Sequence, residues 1–346
     1  MFSTKKLTGL ASCLPRRIKL FLRIKINLMS GTFNYSWGHG KRYNDFSTHF
    51  RSIFEGRVQK ISVNAGFTCP NRDGTRGLGG CTYCNNKTFQ PSYCNLDHLL
   101  KIQLEEGIAF FSKKYTTMQY LAYFQSYTNT YAPVSVLCEL YHEALQYPGV
   151  IGLVIATRPD CLGTEILDLL EELSQKCYVM VELGIETIND RTLERINRGH
   201  TWDESVRALQ ETARRSIHNC AHLILGLPGE NYDDFIAQAH VISQLPVEII
   251  KLHQLQIHTG TVMAHEYARF PDRFHPFGVE EYADLVVDYL ENLNPSIIVE
   301  RFTSSAPAAM VIAPRWGIKN YEFVAKVEKR LKERDTWQGK IWGNEK

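Results

Sequence analysis

The sequence predicts an α/β protein built on parallel strands, and three observations carry that expectation. Short runs rich in β-branched and aromatic residues alternate with longer segments of helical period, and strand, helix, strand repeated in this way makes the helices crossovers between parallel strands. The polar residues of the runs gather at their C-terminal ends, where the active site of a parallel α/β barrel forms. No linker composition divides the chain, so its 346 residues read as one folded unit behind a basic lead-in. A barrel and an open doubly wound sheet both satisfy the pattern.

Taken in order, the first 28 residues hold Lys5, Lys6, Arg16, Arg17, Lys19, Arg23 and Lys25 and no acidic residue. Charges interrupt the apolar residues of "IKLFLRIKINLM", so the segment lacks the continuous apolar region of a secretory signal. Residues 1 to 30 are read as a disordered extension, or as codons upstream of a start at Met29, and residues 31 to 346 as the folded domain. Residues 31 to 45 are rich in glycine and aromatics and read as an irregular entry. The strand runs are "RVQKISV" (57 to 63), "QYLAYFQ" (119 to 125), "VIGLVIAT" (150 to 157), "CYVMVELGIE" (177 to 186), "AHLILGL" (221 to 227), "EIIKLHQLQI" (248 to 257) and "SIIVERF" (296 to 302). Helical period marks 97 to 115, 134 to 146, 164 to 175, 203 to 218, 231 to 244 and 278 to 292, and 319 to 335 reads as a terminal amphipathic helix with a solvated charged face.

Hydrophobic residues make up 44% and charged residues 22% of the chain, and no 18-residue apolar run is present to span a bilayer. The net charge of +2 argues neither for nor against a polyanionic partner. The nine cysteines, an odd number scattered through a long chain without a secretory signal, point to reduced thiols and a cytoplasmic protein. Cys138, Cys161, Cys177 and Cys220 stand among apolar or helix-like neighbours and read as small buried hydrophobes.

The strand ends carry "QSYTNT" (125 to 130), "TRPD" (157 to 160), "ELGIET" (182 to 187), "GLPGE" (226 to 230) and, within their strand, Lys251 and His253. With a period of two, Glu182 and Glu186 share a face with Met180 and Gly184, opposite Val181, Leu183 and Ile185. Carboxylates facing a barrel interior need partners, and Arg158 and Lys251 are the available charges. A buried ion-pair network that only closes the barrel mouth satisfies the same pattern as direct catalysis.

The segment "FTCPNRDGTRGLGGCTYCNN" (67 to 86) places Cys69, Cys81 and Cys84 within sixteen residues. A structural zinc site takes four closed ligands, commonly as two short pairs. Here one pair and a distant third are present, with Cys94 as an unspaced fourth. Three thiolates on a four-iron, four-sulfur cluster would leave one iron open. The glycines between Cys69 and Cys81 suit a loop folded around a bulky group.

Residues 33 to 340 resemble a radical S-adenosylmethionine (SAM) protein, of the subgroup related to the radical domain of the Elongator catalytic subunit. The likeness is carried by "AGFTCPNRDGTRGLGGCTYC", "AYFQSYTNTYAP", "TRPD", "VELGIETINDRTLERINRGHT", "LILGLPGE" and "IKLHQLQIHTGT". It implies a partial (β/α)6 barrel with a short C-terminal extension, and the chain ends without room for the Elongator acetyltransferase domain. It also implies a [4Fe-4S] cluster on Cys69, Cys81 and Cys84, SAM as second cofactor, and an external electron donor such as flavodoxin or ferredoxin. Reductive cleavage of SAM would give a 5′-deoxyadenosyl radical that takes hydrogen from substrate. By similarity, Tyr83 contacts adenine, Gln125, Thr128 and Asn129 meet the methionyl amine, Glu182 meets the ribose, and Gly226 and Glu230 belong to the motif lining the adenine pocket. The usual "GGE" of the second strand is absent. Arg158, Lys251 and His253 would face substrate or the cofactor carboxylate, with Glu182, Lys251 and Arg158 as the catalytic set.

The same resemblance implies a transfer RNA wobble uridine as substrate, and Arg191, Arg195, Arg198 and His200 form a local basic cluster that suits phosphates. Two rival readings stand beside it: a radical enzyme acting on a small molecule, and a non-catalytic zinc or iron–sulfur protein that binds nucleic acid. Oligomeric state is not legible in the sequence.

Overall fold

The computed structural model describes residues 34–113 and 118–343; the expectations for residues 1 to 30 lie outside the described residues. Seven strands form one sheet: β1 Arg57–Val63, β2 Met118–Phe124, β3 Val150–Thr157, β4 Tyr178–Glu186, β5 His218–Leu225, β6 Ile249–Gln254 and, beyond a two-residue strand β7 Ile257–His258, β8 Ile298–Arg301. Their order across the sheet is β1-β2-β3-β4-β5-β6-β8, and every neighbouring pair is parallel. Parallel neighbours need crossovers, supplied by α2 Leu100–Ser112, α3 Val134–Leu145, α4 Thr164–Ser174, α6 Trp202–Arg214, α7 Tyr232–Ser243 and α9 Val279–Glu291, preceded by α1 Phe46–Ile53. A six-residue α5 Asp190–Arg195 precedes α6, α8 Val262–Arg269 precedes α9, and β9 Val311–Ala313 pairs with β7 before the terminal α10 Asn320–Glu333.

The sheet curls into a partial barrel. β1 and β8 are its two edges, yet Lys60 Nζ of β1 lies 2.6 Å from Glu300 Oε1 of β8, so the edges approach across the interior. Strands buried on both faces read as nearly continuous apolar runs, and here the two faces serve different cores. Ile61, Val63, Ala122, Phe124, Leu153, Ile155, Val181, Leu183, Ile185, Leu223 and Leu252 point outward into the layer beneath the helices. Leu121, Tyr123, Val154, Met180, Cys220, Ile249 and Ile298 point inward and meet Phe50.

That phenylalanine belongs to α1, which plugs the N-terminal end of the barrel. Asp45 caps the helix by accepting from Thr48 N at 2.9 Å. One turn apart, Phe46, Phe50 and Phe54 stack into the barrel base, and Phe50 meets the edge of Tyr178 at 5.3 Å between ring centroids. With its base closed by apolar residues, the barrel keeps its polar groups for the opposite end.

The runs at 57 to 63 and 150 to 157 begin and end where the sequence predicts. β5 instead starts three residues early and stops at Leu225, because Gly226 leaves the strand at φ +96°. The helices α1, α5 and α8 and the β7/β9 ribbon are additions. α1 is an eight-residue helix that directly follows the glycine- and aromatic-rich entry, and α5 is too short to show a period. The charged face of α10 is tied down and not simply solvated: Arg330 and Arg334 pair with Asp284 of α9, and Lys326 reaches Glu280 at 2.6 Å.

Among the described residues no helix is long and apolar enough to cross a membrane. Phe50→Ala should open a cavity at the barrel base and cost about 3 kcal/mol, the lower end for deleting a buried phenylalanine. Urea denaturation followed by circular dichroism measures it as a lowered midpoint at unchanged slope.

Candidate active site

Beyond β1 the chain runs without an α-helix until Leu100, and this long loop brings Cys69, Cys81 and Cys84 to one cavity of about 230 Å³ at the C-terminal ends of the strands. Local turns shape it. Arg72 N donates to Cys69 O at 2.8 Å and Cys84 N to Cys81 O at 3.0 Å. Gly80, at φ +78°, lets the Arg72 side chain pass beneath the loop, since a Cβ there would lie 2.9 Å from Arg72 Nε. From that position Arg72 Nη2 donates to Cys84 O at 3.3 Å.

The sulfurs are met by N–H donors. Arg198 Nη1 lies 3.6 Å and Asn71 Nδ2 3.7 Å from Cys81 Sγ, and Asn86 Nδ2 lies 3.6 Å from Cys84 Sγ. Burial pushes the Cys84 thiol up to about 11, with the Arg72 and Arg198 guanidinium charges pulling the other way. All three cysteines are free. Among the described residues no three His, Cys, Asp or Glu side chains are grouped to hold a single metal ion. The fourth cysteine considered, Cys94, is committed elsewhere: its Sγ donates to Ser62 O at 2.9 Å.

At the floor of the cavity stands a charge network. Glu182, its side chain fully buried, accepts from Lys251 Nζ at 2.5 Å, Lys60 Nζ at 2.8 Å and Tyr123 OH at 2.6 Å. Lys60 and Lys251 also reach Glu300 Oε1 at 2.6 and 3.2 Å. Burial opposes the charge on Glu182, but the Lys251 and Lys60 ammonium groups outweigh it and hold the carboxyl well below the usual glutamate range. Above this floor, the His222 and His253 rings lie 4.9 Å apart. Burial, then His222, Arg301 and Lys251, drives His253 well below its usual range, so the ring is neutral.

The partners of the strand-end charges differ in part from the expectation. Lys251 does pair with Glu182. Arg158 pairs with neither glutamate: its Nε and Nη2 grip Asp160 at 2.9 and 3.0 Å, and its Nη1 donates to Arg198 O at 2.7 Å. Glu186 takes Arg198 instead, at 3.3 Å. A bulge in β4 between Gly184 and Glu186 and a left-handed φ of +72° at Glu186 break the period of two. The missing side chain of Gly184 admits the guanidinium, since a Cβ there would lie 2.6 Å from Arg198 Nη2.

The basic cluster read from "NRGHT" and its neighbours does not form one surface. Arg198 and His200 are buried, Arg195 is paired to Glu266, and Arg191 is exposed. An arginine proposed for phosphates thus faces a cysteine sulfur.

Of the other residues singled out, Tyr83, Gln125 and Thr128 line the cavity. Gln125 accepts from Ser62 Oγ at 2.9 Å, and Thr128 N donates to Thr68 O at 3.2 Å, tying the end of β2 to the cysteine loop. Asn129 is turned away and donates through Nδ2 to Ala156 O at 2.8 Å. Gly226 and Glu230 line a second hollow, of about 590 Å³, with Tyr232 and Phe277, and Glu230 accepts from Thr187. Lys60, Tyr123, His222, Glu300 and Arg301 went unread in the sequence. The available signal was charge inside apolar strand runs, the lysine of "RVQKISV" and the pair in "SIIVERF".

Comparison with known proteins follows this geometry. The Radical SAM superfamily model matches residues 66–241 and the Radical SAM C-terminal domain model residues 247–333. The uncharacterised protein YtqA of Bacillus subtilis is 36% identical over 91% of this chain and 97% of its own length. A tRNA uridine(34) acetyltransferase of Methanocaldococcus jannaschii is 25% identical over 47% of this chain and 30% of its own length. The solved structure of Methanocaldococcus infernus Elp3 with an N-terminal deletion superposes with a TM-score of 0.61 at 16% identity, covering 81% of this chain and 64% of that one. At that identity the likeness shows the fold, a partial α/β barrel.

Lys251→Met leaves Glu182 and Glu300 sharing Lys60, and breaking such a buried set costs about 3 kcal/mol. The sign with pH follows from Glu182, whose folded carboxyl is depressed below its ordinary 4.5. Its stabilisation is complete above that value and is lost as pH falls through the lower, folded value. The deficit of the variant should therefore be largest near neutrality and shrink on acidification, as urea midpoints across that range measure.

Proposed function

Because the chain belongs to the radical SAM superfamily, whose enzymes use a [4Fe-4S] cluster and SAM, we propose that Cys69, Cys81 and Cys84 hold the cluster and that the cavity beside them receives SAM and substrate together. The observation that carries this reading is the convergence of three free thiols on one cavity wall, with side-chain N–H groups on the Cys81 and Cys84 sulfurs. Donors of that kind stabilise anionic sulfur and suit ligands of an iron–sulfur cluster. When bound, the cluster supplies the one electron that splits SAM into methionine and the 5′-deoxyadenosyl radical, after reduction by an external donor of the flavodoxin or ferredoxin type.

The residues of the chain position and shield. Tyr83, between two ligands, offers its ring to the adenine, and Gln125 and Thr128 at the end of β2 face the methionyl group. Asn129 acts behind them by fixing that end to β3. Arg198 stands between Glu186 and Cys81 and balances charge at the cluster edge, with Arg158 holding its backbone in place. Glu182 positions Lys251 and Lys60, so that the floor presents a fixed field and admits no bulk water. Gly226 and Glu230 shape the exit of β5 at one remove.

In this reading the substrate is a transfer RNA wobble uridine that already carries a substituent at carbon 5. Its support is the partial likeness to a tRNA uridine(34) acetyltransferase, and not the arginines around residue 195, of which Arg195 is paired and Arg198 buried. A small-molecule substrate is the outcome the tests set against it.

Cys69→Ala, Cys81→Ala and Cys84→Ala should each abolish the brown colour of anaerobically reconstituted protein, and Cys94→Ala should keep it. Iron and sulfide analysis gives the count. A colourless wild type with one zinc would sink the proposal.

With dithionite and SAM, the reconstituted enzyme should release 5′-deoxyadenosine, detected by chromatography. Mass spectrometry of transfer RNA nucleosides from cells with and without the gene should show an altered wobble uridine. An unchanged profile beside intact 5′-deoxyadenosine formation moves the substrate to the small-molecule class.

A further inference from the structure

The β6–β8 wall of the cavity carries a cation without a counter-ion. β8 meets β6 through a bulge: Ile250 stands opposite Val299 but Lys251 opposite Arg301, so Glu300 is skipped. A bulge lets consecutive side chains lean the same way. Glu300 turns inward to Lys60 and Lys251, and Arg301, next to it, lines the cavity as well.

The charges facing this corner are Lys60, Lys251 and Arg301 against Glu182 and Glu300. Both carboxylates are taken by the two lysines. Among the described residues Arg301 has no ion pair and donates no side-chain hydrogen bond, which leaves one positive charge unmatched. Beside it His253, neutral, has a buried Nε2 with no partner. Arg301 is half-buried, and its planar fork matches a two-oxygen acceptor. One surplus charge matches one monoanion.

We propose that Arg301, with His253 Nε2 beside it, is an anion subsite for a carboxylate on the part of the substrate that enters the cavity. The inference rests on the reading that substrate occupies this cavity, and not on the substrate being RNA. It assigns the enzyme a substrate whose reacting end carries a negative charge, held at the β6–β8 wall while the cysteine loop lies at the opposite end of the strand order.

The test uses holoenzyme reconstituted with cluster and SAM, and calorimetric titration with two uridines that differ only at carbon 5, one bearing carboxymethyl and one its neutral carbamoylmethyl counterpart. Uridine 5′-monophosphate is a third arm. The carboxylate should bind at least tenfold more tightly than the amide, Arg301→Gln should erase that preference, and Arg301→Lys should restore part of it, each variant keeping the cluster absorbance of the wild type. Equal binding of the pair by the wild type, or a preference that survives Arg301→Gln, overturns the proposal. So does tighter binding of the monophosphate that is lost in Arg301→Gln, which assigns the subsite to phosphate, or loss of SAM affinity in that variant, which assigns it to the cofactor. If no uridine binds, the nucleoside reading fails by itself, and line broadening of isotopically labelled acetate against acetamide decides the anion subsite. Broadening of acetate by the wild type and not by Arg301→Gln supports it, and equal broadening by both overturns it.

Discussion

The four-residue ion network of Lys60, Glu182, Lys251 and Glu300 is the constraint on which the rest of the site depends. It joins β1, β4, β6 and β8 across the interior, with contacts of 2.5 to 3.2 Å, and so brings the two edges of the sheet together. Isolated, any of these charges would be too costly to bury. Together they are neutral, and Tyr123 satisfies a further lone pair of Glu182. Below the network the barrel is apolar and stoppered by α1; above it opens the cavity lined by the strand ends and the cysteine loop.

A floor whose charges balance has a consequence for the groups placed over it. Because Glu182 and Glu300 are already spent on the lysines, neither can neutralise Arg301, and neither can raise the basicity of His253 far enough to charge it. The floor therefore fixes the electrostatic character of the upper wall without touching a ligand. The cysteine side is balanced in a different way. There Arg158 is matched by Asp160 and Arg198 by Glu186, and Arg198 also donates through Nη2 to Gly184 O and turns Nη1 to Cys81 Sγ. Two halves of one cavity thus carry different charge balances: matched pairs beside the cysteines and one unmatched guanidinium at the β6–β8 wall.

The cysteine loop shows how little regular structure such a site requires. Its geometry comes from short turns, two glycines that yield space to Arg72 and Arg198, and asparagine side chains that bridge loop segments: Asn71 reaches Asn197 O, and Asn197 Nδ2 donates to Gly80 O at 2.8 Å. The loop and the α5–α6 junction are consequently one unit, although more than a hundred residues of sequence separate them. The arginine of "NRGH" is buried at that junction, which explains why its charge is absent from the surface.

Periodicity and motif spacing by themselves determined the class of fold, the seven parallel strands and the gathering of polar strand ends and three cysteines at one end of the sheet. These are properties of local pattern: a strand's alternation and a loop's residue types are written within ten or twenty residues. Gln125 and Thr128, at the end of β2, and Glu182 and Lys251, within β4 and β6, were legible for the same reason, whereas Tyr83, in the loop, was legible only through the resemblance. Which charges pair was not legible. The bulges in β4 and β8, the left-handed turn at Glu186 and the curl that brings Lys60 to Glu300 are decided by closure of the sheet, and each redirects a side chain by one register step. Arg158 is met by a near neighbour, Asp160, but only the tertiary structure could send Arg198 to Cys81 and Asn129, Gly226 and Glu230 away from the cavity, because those contacts are chosen by distance across the barrel and not by distance along the chain.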